Sequence, residues 1–144
     1  MSQEKADHHD AELALHVYEL RREPVMRDSR SSINSKFWPK TYEDVQAVMK
    51  GDHPLNAAFR QVGTFWEMVY GIVKHGIVNP DYFLESNGEG MLFFAKVAPF
   101  LADIRRDTTP WAYGNAEWVA RHTAIGGRLF EVMSARVQKT LASR

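Results

Sequence analysis

The sequence contains no cysteine. That absence excludes a disulfide framework, a thiol nucleophile and any metal site built on cysteine. The chain also has no excess of either charge, because lysine plus arginine and aspartate plus glutamate number 18 each and the formal net charge is zero. A general nucleic-acid binder shows a basic excess or a basic stripe, and neither is present. We therefore expect no nucleic-acid partner.

Long hydrophobic runs are missing as well. The longest nearly apolar segment, residues 91–102, is interrupted by Lys96 and Pro99 and is too short to span a bilayer. The first ten residues, MSQEKADHHD, are polar and charged and lack the apolar core of a secretory signal. We expect no transmembrane segment in this chain and a cytoplasmic location.

What the chain does have is enough apolar material for one folded domain. Of its 144 residues, 44% are hydrophobic and 12% are aromatic. A domain of this size buries about 68–70% of the surface that its unfolded chain exposes. No run of alternating apolar and polar residues is long enough for a strand. The sequence predicts a flexible N-terminal segment over residues 1–9 and a single all-helical domain over residues 10–144.

The stretch from Pro54 to Gly76 carries the strongest helical period. Its polar residues, including Glu67, form one narrow stripe, so we expect Glu67 to face solvent. More than half of its circumference is apolar, which suits a helix surrounded by other helices. The predicted fold is all-α, an irregular multi-helix bundle around this one long central helix, with no sheet. The apolar residues that recur at helical spacing are Phe59, Val62, Phe65, Trp66, Val69, Ile72 and Val73.

Capping residues predict where other helices begin. We expect N-caps at Asp10, Thr41 and Asn79. Asp44, three residues after Thr41, is placed to complete a capping box. Residues 26–34 are polar, so the second helix of the chain is predicted to be peripheral and frayed.

Two breaks are predicted in the second half of the chain. Pro99 lacks the amide proton that a continuous helix needs, so we expect a bend there. Gly126-Gly127 predicts a flexible joint before a last amphipathic helix from Arg128 to Ala142. We expect this last helix to fold back on its own bundle, since short connections usually join neighbours.

The N-terminal histidines and acids form the one cluster that is suggestive of a metal. His9, Glu12 and His16 are spaced i, i+3, i+7, which places them on one helical face, and imidazole and carboxylate are ordinary zinc or iron ligands. Neither HExxH nor a pair of ExxH motifs accompanies them. The alternative is a solvated terminal segment. We expect no cofactor.

The middle of the chain resembles a known family. The stretch FxxVGTFWEMVYGIVKHGIVNPDYF is followed by a helix of the form FFAKVAPFLADIRR. With the arginine-rich segment before them, they resemble an uncharacterised bacterial all-helical family catalogued only as a domain of unknown function. The resemblance spans about Leu13 to Arg121. It implies helices and no established activity, so no residue role is carried over. Some relatives carry an N-terminal membrane segment, and this chain departs from that pattern.

The functional interpretation depends on the lack of convergent reactive groups. No phosphate-binding glycine loop and no nucleophile motif is present. The sequence therefore favours a cytosolic, non-catalytic interaction or scaffolding module that binds a protein partner or a second copy of itself. Two alternatives stay open. A regulator of small apolar ligands would show an unexplained cavity between helices, and a metal-dependent enzyme would use the N-terminal cluster.

Overall fold

The computed structural model of the chain describes residues 5–144. Within these residues the polypeptide forms nine α-helices and one short 3-10 turn, and it contains no strand. The prediction of an all-α fold without a sheet is confirmed. The helices are α1 His8–Arg22, α2 Pro24–Lys36, α3 Tyr42–Met49, α4 Asn56–Lys74, α5 Pro80–Ser86, α6 Glu89–Val97, α7 Leu101–Asp107, α8 Gly114–His122 and α9 Ala124–Ala142.

Side-chain caps begin α3 and α5 where the sequence predicts them. The Thr41 hydroxyl accepts the Asp44 N–H, and the Asp44 carboxylate accepts the Thr41 N–H, which completes a capping box. The Asn79 side chain accepts the Tyr82 N–H at 2.9 Å, and Pro80 occupies the first turn of α5, where its missing N–H costs nothing.

Proline and glycine end two other helices as predicted. The segment Ala98–Phe100, which contains Pro99, forms a 3-10 turn that separates α6 from α7. Gly76 follows α4 with a φ of 71°, a left-handed conformation that suits glycine after a helix. Pro54, by contrast, lies in a turn before α4 rather than in its first turn.

The first helix begins earlier than predicted. Its N-cap is Asp7, not Asp10, and His8 and His9 already belong to its first turn. Asp10 is buried, and its carboxylate accepts the backbone N–H of Asn79 at 2.7 Å. This bond joins the start of α1 to the start of α5. Of the segment predicted to be flexible, residues 1–4 lie outside the described part of the chain.

The core lies between α4 and its neighbours. α4 packs against α2, α3, α6 and α8, and its apolar stripe is buried as the period predicts. α9 also has 19 residues, so length alone does not single out one central helix. The prediction that residues 26–34 are peripheral is wrong, because α2 packs along α4 and buries Met26 and Ile33. The Arg30 guanidinium pairs with the Glu89 carboxylate through two hydrogen bonds.

The predicted joint at Gly126-Gly127 is wrong, because both residues belong to the first turn of α9. Thr123 caps this helix and accepts the Gly126 N–H at 2.9 Å. A Cβ atom on Gly126 would lie 2.3 Å from the carbonyl oxygen of Val119, so the corner between α8 and α9 requires glycine there. α9 then packs on α6 and α8, so it folds back on its own bundle as predicted.

Within residues 5–144, no helix combines the length and the apolar character that are needed to cross a membrane.

Candidate ligand-binding groove

A groove runs along one side of α4, opposite α7 and the segment that connects α7 to α8. Its volume is about 510 Å³, within the range of small-ligand pockets, roughly 300–1,000 Å³. We call it the α4 groove. It is lined by Met49, Phe59, Arg60, Gly63, Thr64, Glu67, Met68, Ile104, Thr108, Ala112, Tyr113 and Asn115.

Two glycines on α4 allow the opposite wall to come close to the helix. A Cβ atom on Gly63 would lie 3.3 Å from the ring of Phe93 and 3.6 Å from the Tyr113 hydroxyl. A Cβ atom on Gly71 would lie 2.9 Å from the side-chain nitrogen of Asn115. Because these two positions carry no side chain, the start of α8 packs directly against the α4 backbone.

Tyr113 forms part of the wall in an unusual backbone conformation. Its φ of 56° and ψ of 25° lie in the left-handed region, which residues with side chains rarely adopt. Such conformations cost about 1–3 kcal/mol and occur preferentially at functional sites. Burial raises the pKa of the Tyr113 phenol, and the Glu67 carboxylate raises it further. The phenol is therefore a neutral hydrogen-bonding group beside the apolar part of the groove.

Glu67 caps α8 from the neighbouring helix. Its two carboxylate oxygens accept the backbone N–H groups of Asn115 at 2.8 Å and Ala116 at 3.1 Å. The N-cap residue of α8, Tyr113, makes no side-chain capping bond, so Glu67 replaces it. A carboxylate at a helix N-terminus is also favoured by the helix dipole. The prediction that Glu67 faces solvent is wrong, because its side chain is half-buried in this contact.

Arg105 holds the segment between α7 and α8 in place. Its Nε donates to the carbonyl oxygen of Ala112 at 3.0 Å, and its Nη2 pairs with Glu117 at the same distance. The Thr108 hydroxyl donates to the carbonyl of Ile104 at the end of α7. These bonds anchor both ends of the loop, so this wall of the groove is preformed.

The groove combines an apolar body with a polar rim. Met49, Phe59 and Ile104 are among its apolar lining residues, and Met68, which also lines it, is 61% exposed. Arg60 contributes a guanidinium, and within residues 5–144 this group forms no ion pair and no side-chain hydrogen bond. A largely apolar cavity with a few polar groups is the usual form of a small-molecule site.

The structure does not bring the predicted metal ligands into this groove. His9, Glu12 and His16 lie on α1, and all three are exposed. Among the described residues, no group of three or more histidine, aspartate or glutamate side chains is arranged to hold a metal ion. The metal site stays a prediction of the sequence.

Sequence reasoning missed the second half of the groove. The residues from α4 were recognised as a polar stripe, but the partners of that stripe are about 50 positions away along the chain, as with Glu67 and Asn115. One signal was present: Gly63 and Gly71 interrupt an otherwise strong helical pattern. A glycine inside a helix costs about 1 kcal/mol relative to alanine and suggests a packing reason.

The model of the family described as "Domain of unknown function (DUF4760)" matches residues 6–123. This segment contains α1 to α8 and all residues that line the α4 groove, and α9 lies beyond it. No curated protein and no solved structure matches the chain significantly.

Proposed function

Because this chain belongs to the DUF4760 family, which is described only as a domain of unknown function, we propose a function from its own geometry. In this proposal, the chain is a non-catalytic binding domain whose ligand is a small, largely apolar molecule held in the α4 groove. The sequence resemblance to a family of unknown function is confirmed by the match. The ligand-binding role develops one of the two alternatives that the sequence left open, a regulator that binds a small apolar ligand. The cytosolic location that the sequence predicts is part of this proposal.

The observation that carries the proposal is the groove itself. A groove of about 510 Å³ with mainly apolar walls lies between α4 and the segment that connects α7 to α8. The wall opposite α4 is fixed by the Arg105 bonds and by the Glu67 cap. It also includes the strained backbone of Tyr113. Preformed walls reduce the ordering cost of binding, which favours a ligand site over a packing defect.

A neutral apolar fluorophore tests the proposal directly. N-phenylnaphthylamine should bind with increased fluorescence and with one site per chain. Thr64→Trp places a large side chain in the groove, since Thr64 is exposed and lines it, and should reduce the affinity at least about tenfold, the equivalent of about 1.4 kcal/mol. Ala135→Trp, at an exposed position of α9, is the matched control and should bind normally. Equal binding by both variants would refute the proposal.

A second candidate is the interaction role that the sequence favours. Trp111 is 72% exposed in the loop after α7 and immediately precedes Ala112, which lines the groove. Exposed tryptophan and methionine next to a cavity are typical of the anchor residues of protein interfaces. Sedimentation over a concentration series tests self-association through this surface. Trp111→Ser should abolish a dimer if one forms, whereas Leu15→Ser, at an exposed position of α1, should not.

A further inference from the structure

The position of Arg60 indicates which polar group the largely apolar ligand has at one end. Arg60 lines the α4 groove and also an adjoining shallow cleft of about 330 Å³, whose other lining residues are Ala57, Gln61 and Thr64. Arg60 therefore belongs to the wall that the two cavities share. A molecule that fills the groove and reaches this wall has its end beside Arg60.

Among residues 5–144, no carboxylate forms an ion pair with Arg60. On α4, the positions three and four residues away are occupied by Asn56, Ala57, Gly63 and Thr64, none of which is acidic. Glu67 is the one carboxylate among the groove residues. Both of its oxygens already accept backbone N–H groups of α8.

Arg60 nevertheless has a polar neighbour that suits an anionic head group. Gln61 is exposed, and its side-chain amide can donate a hydrogen bond. The Thr64 hydroxyl already donates to the Arg60 carbonyl at 2.7 Å, so it is not available as a donor to the ligand. Within residues 5–144, the rim thus offers one cation without a counter-charge and one amide on the same helix, directly beside an apolar cavity.

We propose that the ligand of the α4 groove is an anionic amphiphile, with its apolar body in the groove and a carboxylate or similar oxyanion on Arg60. This inference rests on the proposed function, because it names the ligand class of the same site. A guanidinium binds planar oxyanions through two parallel hydrogen bonds, which a neutral alcohol or an amine cannot reproduce. Since Arg60 is exposed, its attraction for the anion weakens as salt is added.

Two fluorophores that differ by one sulfonate group provide the test. N-phenylnaphthylamine is neutral, and anilinonaphthalene sulfonate adds an anion to the same ring system. Arg60→Gln should weaken binding of the sulfonate about tenfold, the loss of roughly one charge-assisted interaction. Its effect on the neutral probe should stay within about twofold. Arg128→Gln, at an exposed position of α9, is the matched control and should change neither affinity.

Competition with simple amphiphiles gives a second measurement. Decanoate should displace N-phenylnaphthylamine from the native protein at lower concentration than from Arg60→Gln, whereas decanol should displace it equally from both. Arg60→Lys should restore part of the preference for decanoate, since it restores the charge without the planar fork. Circular dichroism should show unchanged folding, because the Arg60 side chain forms no ion pair within the described part of the chain that the substitution could remove.

The outcomes separate this inference from the proposed function. If the neutral probe does not bind the native protein, both fail. If the neutral probe binds and Thr64→Trp blocks it, but Arg60→Gln leaves the sulfonate affinity unchanged, only the anionic ligand class is refuted. If Arg128→Gln weakens the sulfonate as much as Arg60→Gln does, the effect is general electrostatics and the inference also fails.

Discussion

Lys96 provides the sharpest test of the packing around α6, because the pKa of a buried lysine differs between the folded and the unfolded chain. Lys96 is only 1% exposed. The ammonium group donates to the Ile33 carbonyl at 3.0 Å and lies 3.9 Å from the centre of the Trp38 ring. It forms no ion pair with any carboxylate of the described chain. An ammonium buried without a counter-charge favours the neutral amine.

The magnitude follows from the shift in the pKa. Burial lowers the pKa of Lys96 from 10.5 to about 7, with further lowering from Arg144 and Arg136 and a partial offset from Glu89. Between these two values the unfolded chain holds a proton that the folded chain has lost, so the free energy of unfolding rises with pH. At about 1.4 kcal/mol per pH unit, the expected gain between about pH 7 and about pH 9 is about 2 kcal/mol.

Lys96→Met removes this proton linkage while keeping a flexible side chain of similar length. Urea unfolding of both proteins at several pH values between about 6 and 9 measures the effect. The stability of the native protein relative to the variant should rise by about 2 kcal/mol across this range, and all other titrating groups cancel in the difference. Lys50→Met, at an exposed position, keeps Lys96, so its stability should rise with pH in parallel with that of the native protein. If the free energy of unfolding of the native protein and of Lys96→Met changed in parallel with pH, the conclusion that Lys96 is buried without a counter-charge would be refuted.

Three further substitutions test the packing of α4, α8 and α9. Glu67→Ala should destabilise by about 1–2 kcal/mol, because α8 loses its cap, and a change below about 0.5 kcal/mol in urea titration would restore the solvent-facing interpretation. Gly126→Ala should cost about 1–3 kcal/mol, because its Cβ meets the Val119 carbonyl. Gly127→Ala, whose Cβ would lie 3.3 Å from the Ala120 carbonyl oxygen, makes a milder contact and should change the unfolding free energy by no more than about 1 kcal/mol in either direction, so equal thermal shifts for the two alanines would contradict the geometry of this corner. Trp66→Ala, at a position 2% exposed, should lose about 3–5 kcal/mol of unfolding free energy, and a loss below about 1 kcal/mol would contradict its burial.

Helix existence and several helix ends could be predicted because their causes are local. A threonine and an aspartate three residues apart satisfy each other's backbone at the start of α3. Pro99 interrupts the helix in which it lies, whatever surrounds it. The apolar stripe of α4 is buried as its period indicates, with Trp66 among its most buried residues.

The errors at Glu67, Gly126 and α2 share a different cause, because each concerns a contact between different helices. Glu67 was assigned to solvent by the helical wheel, but its oxygens cap a helix that begins more than 40 residues later. Gly126 is a flexible residue in isolation, but the Val119 carbonyl makes it a packing requirement within α9. α2 has a polar composition, yet the few apolar residues it has, such as Ile33, are buried against the core.

The sequence alone thus determined the helical class, the lack of a strand pattern and several of the helix boundaries that depend on side chains within one turn, such as the start of α3. It also identified the family, through the pattern of residues in the middle of the chain. The α4 groove was decided only by the tertiary structure, because one wall comes from residues 59–68 and the other from residues 104–115. Local propensity acts over a single helical turn, whereas a cavity depends on the angle and distance at which two helices pack.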